Sequence, residues 1–216
     1  MKKELQKRIL SSILLIPLVL FLIVEGSIFF NLFVLLCLFL SIYEWVMMNK
    51  KKIFIFFGVI FLIFSFFTIY KIRNGFDVEY VYILFVLLIC VSTDIGGYVF
   101  GKFFRGPKLT KISPNKTLSG MIGGIILSFI SIYLYLVVIK PVYFIKFETN
   151  IIMIILIISI VSQIGDIIIS YFKRLSKVKD TGKIIPGHGG ILDRIDGMIF
   201  AFPFSYILIS IKVINF

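Results

Sequence analysis

The chain has 216 residues, 60% of them hydrophobic, and a mean hydropathy of +1.09. A water-soluble domain of this length has too much surface for its volume to bury so large an apolar share, so a soluble globular protein is excluded and lipid must be the solvent. Its 23 Lys and Arg against 11 Asp and Glu give a formal charge of +12; on a membrane chain this points to loops facing anionic headgroups or an anionic substrate, not to nucleic acid.

A bilayer core takes about 20 mostly apolar residues per helix, and the sequence offers seven such runs, predicting an all-α, polytopic transmembrane bundle. Lys2, Lys3, Lys7 and Arg8 precede the first, 9–24, which is the shortest and contains Pro17. No small-residue cleavage site follows it, so it reads as a span and not a signal peptide. Glu25, Gly26 and Ser27 form a tight outer turn into the second span, 27–43. A short inner segment, 44–52, carries Lys50, Lys51 and Lys52. The third span is 53–70 and the fourth 79–101, with Lys71 and Arg73 between them. A loop over 102–117 leads to the fifth span, 118–140; Lys140 and Lys146 lie in the next turn. The sixth span, 150–172, opens into a loop over 173–194, and the seventh, 192–214, includes Lys212. With the N-terminus inside, 18 of the basic residues fall on inner segments and 5 on outer ones. The positive-inside bias therefore predicts a cytoplasmic N-terminus, an outer C-terminus and a bacterial inner membrane. Cys37 and Cys90 sit within apolar runs and read as small core residues. The expected organisation is one integral membrane domain, 1–216, without soluble domain or repeat: apolar spans over 9–101 and a chemically rich half over 94–200.

Polar chemistry collects at the inner ends of the later spans. Ser159, Ser162, Gln163, Asp166 and Ser170 share one stripe of the sixth span, and Asp166 lies about two turns from its inner end. Asp94 has a similar depth in the fourth span. Asp193 and Asp196 open the seventh at i and i+3. An ionisable group inside a span is costly and marks function by default, and four carboxylates at one level suit a hard cation, Mg²⁺ above all. Plainer roles stand beside this one: Asp193 at a helix N-terminus, Asp196 paired with Arg194, Asp94 with Lys102, and the Ser/Gln stripe as interhelical glue.

The loop over 102–117 contains Gly106-Pro107 and then Ser113-Pro114-Asn115-Lys116-Thr117, turn-forming steps that would hold Ser113, Asn115 and Lys116 toward an anion. Gly97, Gly101, Gly120, Gly123 and Gly124 serve either that site or close helix packing. The loop over 173–194 is the most informative. Lys173, Arg174 and Lys179 supply charge, Gly187, Gly189 and Gly190 flank the sole histidine, His188, and Asp193, Arg194 and Asp196 follow. Glycines allow a backbone to approach a phosphate. Cations, flexible glycines and carboxylate-held Mg²⁺ together describe phosphoryl or nucleotidyl transfer.

Residues 170–196 resemble the signature of the phosphatidate cytidylyltransferases, or CDP-diacylglycerol synthases: Ser170-x-Phe172-Lys173-Arg174, Lys179-Asp180, then Pro186-x-His188-Gly189-Gly190-Ile191-x-Asp193-Arg194-Ile195-Asp196. Asp94-Ile95-Gly96-Gly97-Tyr98, Ser113 to Thr117 ending in Gly120, and Asp166 resemble the family too. Ser119 stands where the family often has Glu, and the chain is shorter than typical members. The resemblance implies transfer of the cytidylyl group of CTP to phosphatidate, giving CDP-diacylglycerol and pyrophosphate, on the cytoplasmic side of the membrane. It implies Mg²⁺ held by Asp166 and Asp193, with Asp196 and Asp94 as lesser ligands, and it allows a second cation. Lys173, Arg174, Lys179, Arg194 and Lys116 would meet phosphates, with Ser113, Asn115, Ser170, Gly189 and Gly190 around the substrates. His188 would hold a phosphate oxygen or protonate the leaving group. Partners are CTP, phosphatidate and membrane lipid, and the glycine faces allow a homodimer. A CTP-dependent lipid or polyprenol kinase is the alternative, and a cation-coupled transporter a weaker one.

Overall fold

The computed structural model describes residues 2–76, 80–110, 112–113, 115–143, 150–185, 187, 189–211 and 214. Pro114, Lys146, Pro186, His188 and Lys212, all singled out above, lie outside the described residues. Among those described, the regular structure is helical: α1 (Lys2–Glu25), α2 (Ser27–Met48), α3 (Lys52–Asn74), α4 (Val81–Phe104), α5 (Leu118–Tyr143), α6 (Asn150–Leu175), α7 (Leu192–Ile195) and α8 (Met198–Ser210).

Five of these, α2 to α6, are long and apolar enough to cross a membrane, while Ile13–Glu25 and Met198–Ser210 form shorter apolar helices. The chain is a multi-pass membrane protein. One boundary corrects the sequence reading: the expected seventh span, 192–214, is not one helix. It breaks at Asp196-Gly197 into α7 and α8, and α8 ends at Ser210. The backbone at both residues keeps helical torsions, and Gly197 O accepts from Phe200 N and Ala201 N as α8 begins. The other helices run past their apolar cores. α2 continues to Met48, which takes Glu44 into the helix, and α3 continues to Asn74, which takes in Arg73.

The chain divides into two compact units. One comprises Met1–Tyr80 with Phe172–Asp196, the other Val81–Tyr171 with Gly197–Phe216. In the first, the turn expected at Glu25-Gly26-Ser27 is present, with Gly26 at φ +69°. Arg73 arrives from α3 and donates from Nε to Ile23 O (2.7 Å) and from Nη2 to Val24 O (3.1 Å). A buried guanidinium thus satisfies carbonyls that the end of α1 leaves orphaned and complements the negative end of its dipole. Its guanidinium fills the space a Cβ at Gly26 would take. Further along, Trp45 donates from Nε1 to Phe54 O (3.0 Å) and meets the edge of Phe172 at 5.0 Å between ring centroids. Its indole occupies the space left by Gly58.

In the second unit the glycines resolve toward packing. A Cβ on Gly96 would stand 2.5 Å from Gly123 O, one on Gly120 2.6 Å from Gly97 O, and one on Gly124 2.6 Å from Thr93 O. α4 and α5 therefore meet backbone to backbone, as small residues permit in lipid. Glycines read above as allowing a homodimer are consumed inside the chain. The α6 stripe also binds its neighbours: Ser159 Oγ lies 2.8 Å from Thr93 Oγ1, and Gln163 Nε2 donates to Met121 O at 3.4 Å.

Trp45 is the only tryptophan, which makes its setting measurable. Gly58→Ala should push the indole off its place, break its hydrogen bond to Phe54 and shift the emission spectrum of the purified protein. Gly97→Ala, where the nearest atom to a new Cβ is 3.8 Å away, should leave that spectrum unchanged.

Candidate active site

The loop after α6 is built from its end upward. Lys177 adopts φ +59°, its N–H donates to Arg174 O (3.0 Å), and Val178 N donates to Lys173 O (2.9 Å). This is the paired closure that ends many helices, here with lysine at the left-handed position that glycine usually takes. The chain then reverses over Asp193. Asp193 Oδ2 accepts from Thr181 N (2.8 Å) and Gly190 N (2.9 Å), while Oδ1 accepts from Lys173 Nζ at 3.1 Å. Lys173 also reaches Asp196 Oδ2 at 3.5 Å. One ammonium serves two carboxylates, and all three side chains are largely removed from solvent, at 10%, 4% and 13% exposure for Lys173, Asp193 and Asp196.

Ile185 N donates to Gly189 O at 2.9 Å, closing a short bridge. Gly189 sits at φ +85°, and a Cβ there would stand 2.8 Å from Asp193 Oδ2. The glycines are thus required by the loop's own turn and by its approach to Asp193. Gly190 gives its N–H to that carboxylate, so a role for this N–H toward a phosphate is not what the local geometry favours. Arg174, Lys179 and Arg194 are exposed; Arg174 donates from Nη1 to Val178 O at 3.3 Å.

One residue that sequence reasoning passed over belongs to this unit. Glu44 of α2 is 1% exposed. Its Oε1 accepts from Ile191 N (2.9 Å), and its Oε2 accepts from Leu192 N (2.9 Å) and Thr181 Oγ1 (2.9 Å). The signal available in sequence was a lone acid at the end of an apolar run, which reads as a solvated helix end.

In the other unit, the loop between α4 and α5 is a small hairpin. Leu109 N donates to Lys116 O (2.8 Å), Leu118 N to Pro107 O (3.0 Å), and Lys108 bridges Thr117. Arg105 (φ +52°) and Gly106 (φ +100°) turn the chain into it. Thr117 caps α5 by accepting Gly120 N at 3.1 Å, and Ser119 donates to Arg105 O and lies 3.0 Å from Thr117 Oγ1. Ser119 closes the base of this hairpin. Asn115 is exposed and Ser113 half-buried; Lys116 N donates to Ser113 O at 3.0 Å. The Lys116 ammonium pairs with Asp166 Oδ2, both side chains 24% exposed, and Ser170 Oγ donates to Asp166 Oδ1 at 3.3 Å. Asp94 lies on an exposed face of α4.

Among the described residues no three His, Cys, Asp or Glu side chains group closely enough to hold one metal ion. The aspartates are instead met by lysines, Asp166 by Lys116 and the pair Asp193/Asp196 by Lys173.

The two ion pairs should respond differently to removal of the cation. Lys173→Met takes away the ammonium that two nearly buried carboxylates share, a loss on the order of 3–5 kcal/mol. Lys116→Met strands one that water partly reaches, about 1 kcal/mol or less. Apparent melting temperatures of the purified variants in detergent should fall much further for Lys173→Met.

Residues 50–212 match the model of the cytidylyltransferase family. Phosphatidate cytidylyltransferases from Staphylococcus haemolyticus and Staphylococcus aureus are each 46% identical over 132 residues, covering 59% of this chain and 48% of theirs. The phosphatidate cytidylyltransferase of Bacillus subtilis is 39% identical over 143 residues, 65% of this chain and 52% of its own. The chain spans about half the length of the curated relatives it matches. With the family model covering most of its residues, including both polar loops, the chain belongs to the cytidylyltransferase family.

Proposed function

We propose that the chain transfers the cytidylyl group of CTP to phosphatidate, releasing pyrophosphate and forming CDP-diacylglycerol for phospholipid synthesis. What carries this reading is the 46% identity to enzymes named for that reaction. The chemistry of the residues agrees. The nucleophile is a lipid phosphate, anionic at neutral pH, so no strong general base is needed. The obstacle is bringing anion to anion and stabilising charge on the departing pyrophosphate. Exposed Arg174, Lys179 and Arg194 can gather phosphates, and Lys116, set beside Asp166, can exchange that carboxylate for a phosphate oxygen. Lys173, held by Asp193 and Asp196, acts from a fixed place. His188 is assigned to a phosphate oxygen or to protonation of the leaving group. The acyl chains of phosphatidate remain in lipid.

Mg²⁺ fits this chain at Asp166. That carboxylate is oxygen-only, partly open, has the Ser170 hydroxyl beside it and already faces a positive group, the Lys116 ammonium. Mg²⁺ is usually bound by one or two carboxylates together with substrate phosphates rather than by an all-protein cage. Asp193, Asp196 and Asp94 are further oxygen donors, with Asp193 the most committed to the loop itself. When bound, the ion would draw off negative charge developing on pyrophosphate.

Purified protein given CTP, phosphatidate and Mg²⁺ should release pyrophosphate and a liponucleotide in equal amounts, and Asp166→Asn should abolish this in a protein that remains monodisperse. Release of CDP with phosphorylation of a lipid alcohol would instead identify a kinase.

The working face is assigned to the cytoplasm on the distribution of basic residues. Cysteines placed at exposed Lys108 and Lys183, in a chain with Cys37 and Cys90 replaced by Ala, should be shielded from an impermeant thiol reagent in intact cells. One at exposed Asn74 should be labelled. The opposite pattern would reverse the orientation.

A further inference from the structure

We propose that Glu44 is the positioning residue of the catalytic loop: from α2 it fixes where Asp193, and through it Lys173, stands. The proposal rests on reading residues 173–196 as the part that meets the nucleotide's phosphates.

The observation is a carboxylate in the wrong place for a bland role. Glu44 is buried, and withdrawing a carboxylate from water is costly unless donors replace the water. Its three hydrogen bonds come from three loop residues: Thr181 by its hydroxyl, Ile191 and Leu192 by their backbone N–H groups. The sequence separations are 137, 147 and 148 residues, so none is local helix capping. The same loop residues converge on Asp193. Thr181 offers its hydroxyl to Glu44 and its N–H to Asp193, while Gly190, which donates to Asp193, directly precedes Ile191. Glu44 thereby holds both flanks of the tip, at 181 and at 191–192, and Asp193 is suspended between them.

The loop's composition is fitted to this carboxylate. A Cβ on Gly182 would stand 2.6 Å from Glu44 Oε1, and one on Gly190 would overlap Oε2 and Thr181 Oγ1. Packing alone does not call for charge here, since a Leu or Met would fill the space without the desolvation cost. Two acceptor oxygens, each facing a backbone N–H, are what the carboxylate supplies. An amide cannot supply them. With its oxygen toward Ile191, a Gln turns its NH₂ on the Leu192 N–H, and flipping the amide moves the conflict to Ile191. Either way a donor meets a donor and one buried N–H loses its acceptor.

The test uses the full chain in detergent with Glu44→Gln, Glu44→Asp and Thr181→Val. Thr181→Val removes one hydroxyl donor and keeps the Thr181 N–H bond to Asp193. Tryptic cleavage after the exposed Lys179 and Lys183 reports the loop without reference to activity. Glu44→Gln should be cleaved about tenfold faster or more, the scale of one buried donor left unpaired, and should raise KM for CTP by a similar factor while KM for phosphatidate stays within about twofold. Glu44→Asp, which keeps both acceptors, should recover part of each loss. Thr181→Val should shift both readouts in the same direction but less, and it decides the matter if Glu44→Gln does not fold. Cleavage and KM values at wild-type levels in Glu44→Gln would overturn the proposal. So would a fall in kcat alone with cleavage and both KM values unchanged, the pattern of a smaller folded fraction. Should the wild type make no liponucleotide, the proposed function falls, while the cleavage comparison still decides the role of Glu44.

Discussion

Asp193 takes three donors, an ammonium and two backbone N–H groups, and the course of the chain from the end of α6 to α7 follows from satisfying it. In a low-dielectric setting a carboxylate left short of donors costs more than most packing contacts return. The loop therefore closes over its aspartate or does not close. Positive-φ glycine at 189, the left-handed Lys177 and the short bridge between Ile185 and Gly189 are the backbone adjustments that bring the two N–H groups to one oxygen. Asp196, one turn beyond, shares the lysine and carries the constraint to the end of α7.

The other unit reaches order by a different route. Its helices α4 and α5 approach through glycine, where van der Waals contact between backbones replaces the interlocking of large side chains. Hydroxyls of Thr93 and Ser159 satisfy one another across the helices. The charged pair of Lys116 with Asp166 stays partly in reach of water. One unit thus holds its loop lysine away from water, and the other leaves its loop lysine partly open to it.

Much of this was legible in the sequence. Apolar runs longer than about 17 residues must be helices in lipid, because no other open structure satisfies its own backbone, and six of the seven expected runs became single helices. Asp193 and Asp196, spaced i to i+3, did fall to one side, where Lys173 meets both. What could not be read was pairing over distance. Glu44 and Arg73 lie just past the apolar runs ending at Tyr43 and Tyr70, and a charge in that position reads as surface. Their burial depends on partners outside their own helices: loop N–H groups more than 130 residues away for Glu44, and the end of α1 for Arg73. Likewise the sequence sorted lysines to phosphates and aspartates to metal, whereas the fold pairs Lys116 with Asp166 and Lys173 with Asp193 and Asp196. The glycines of α4 and α5 were ambiguous until their neighbours were known, since a glycine states only that a Cβ would be unwelcome.

The unequal burial of the loop's cations separates two responses to ionic strength. Lys173 lies among groups that mobile ions hardly reach, so salt barely alters its attraction to Asp193 and Asp196. Arg174, Lys179 and Arg194 stand in solvent, where at physiological salt their pull fades over about 8 Å. Added salt would weaken the long-range capture of an incoming anion while leaving the loop's internal shape in place. Such a protein grows slower at collecting its substrate well before it loses the geometry that would handle it.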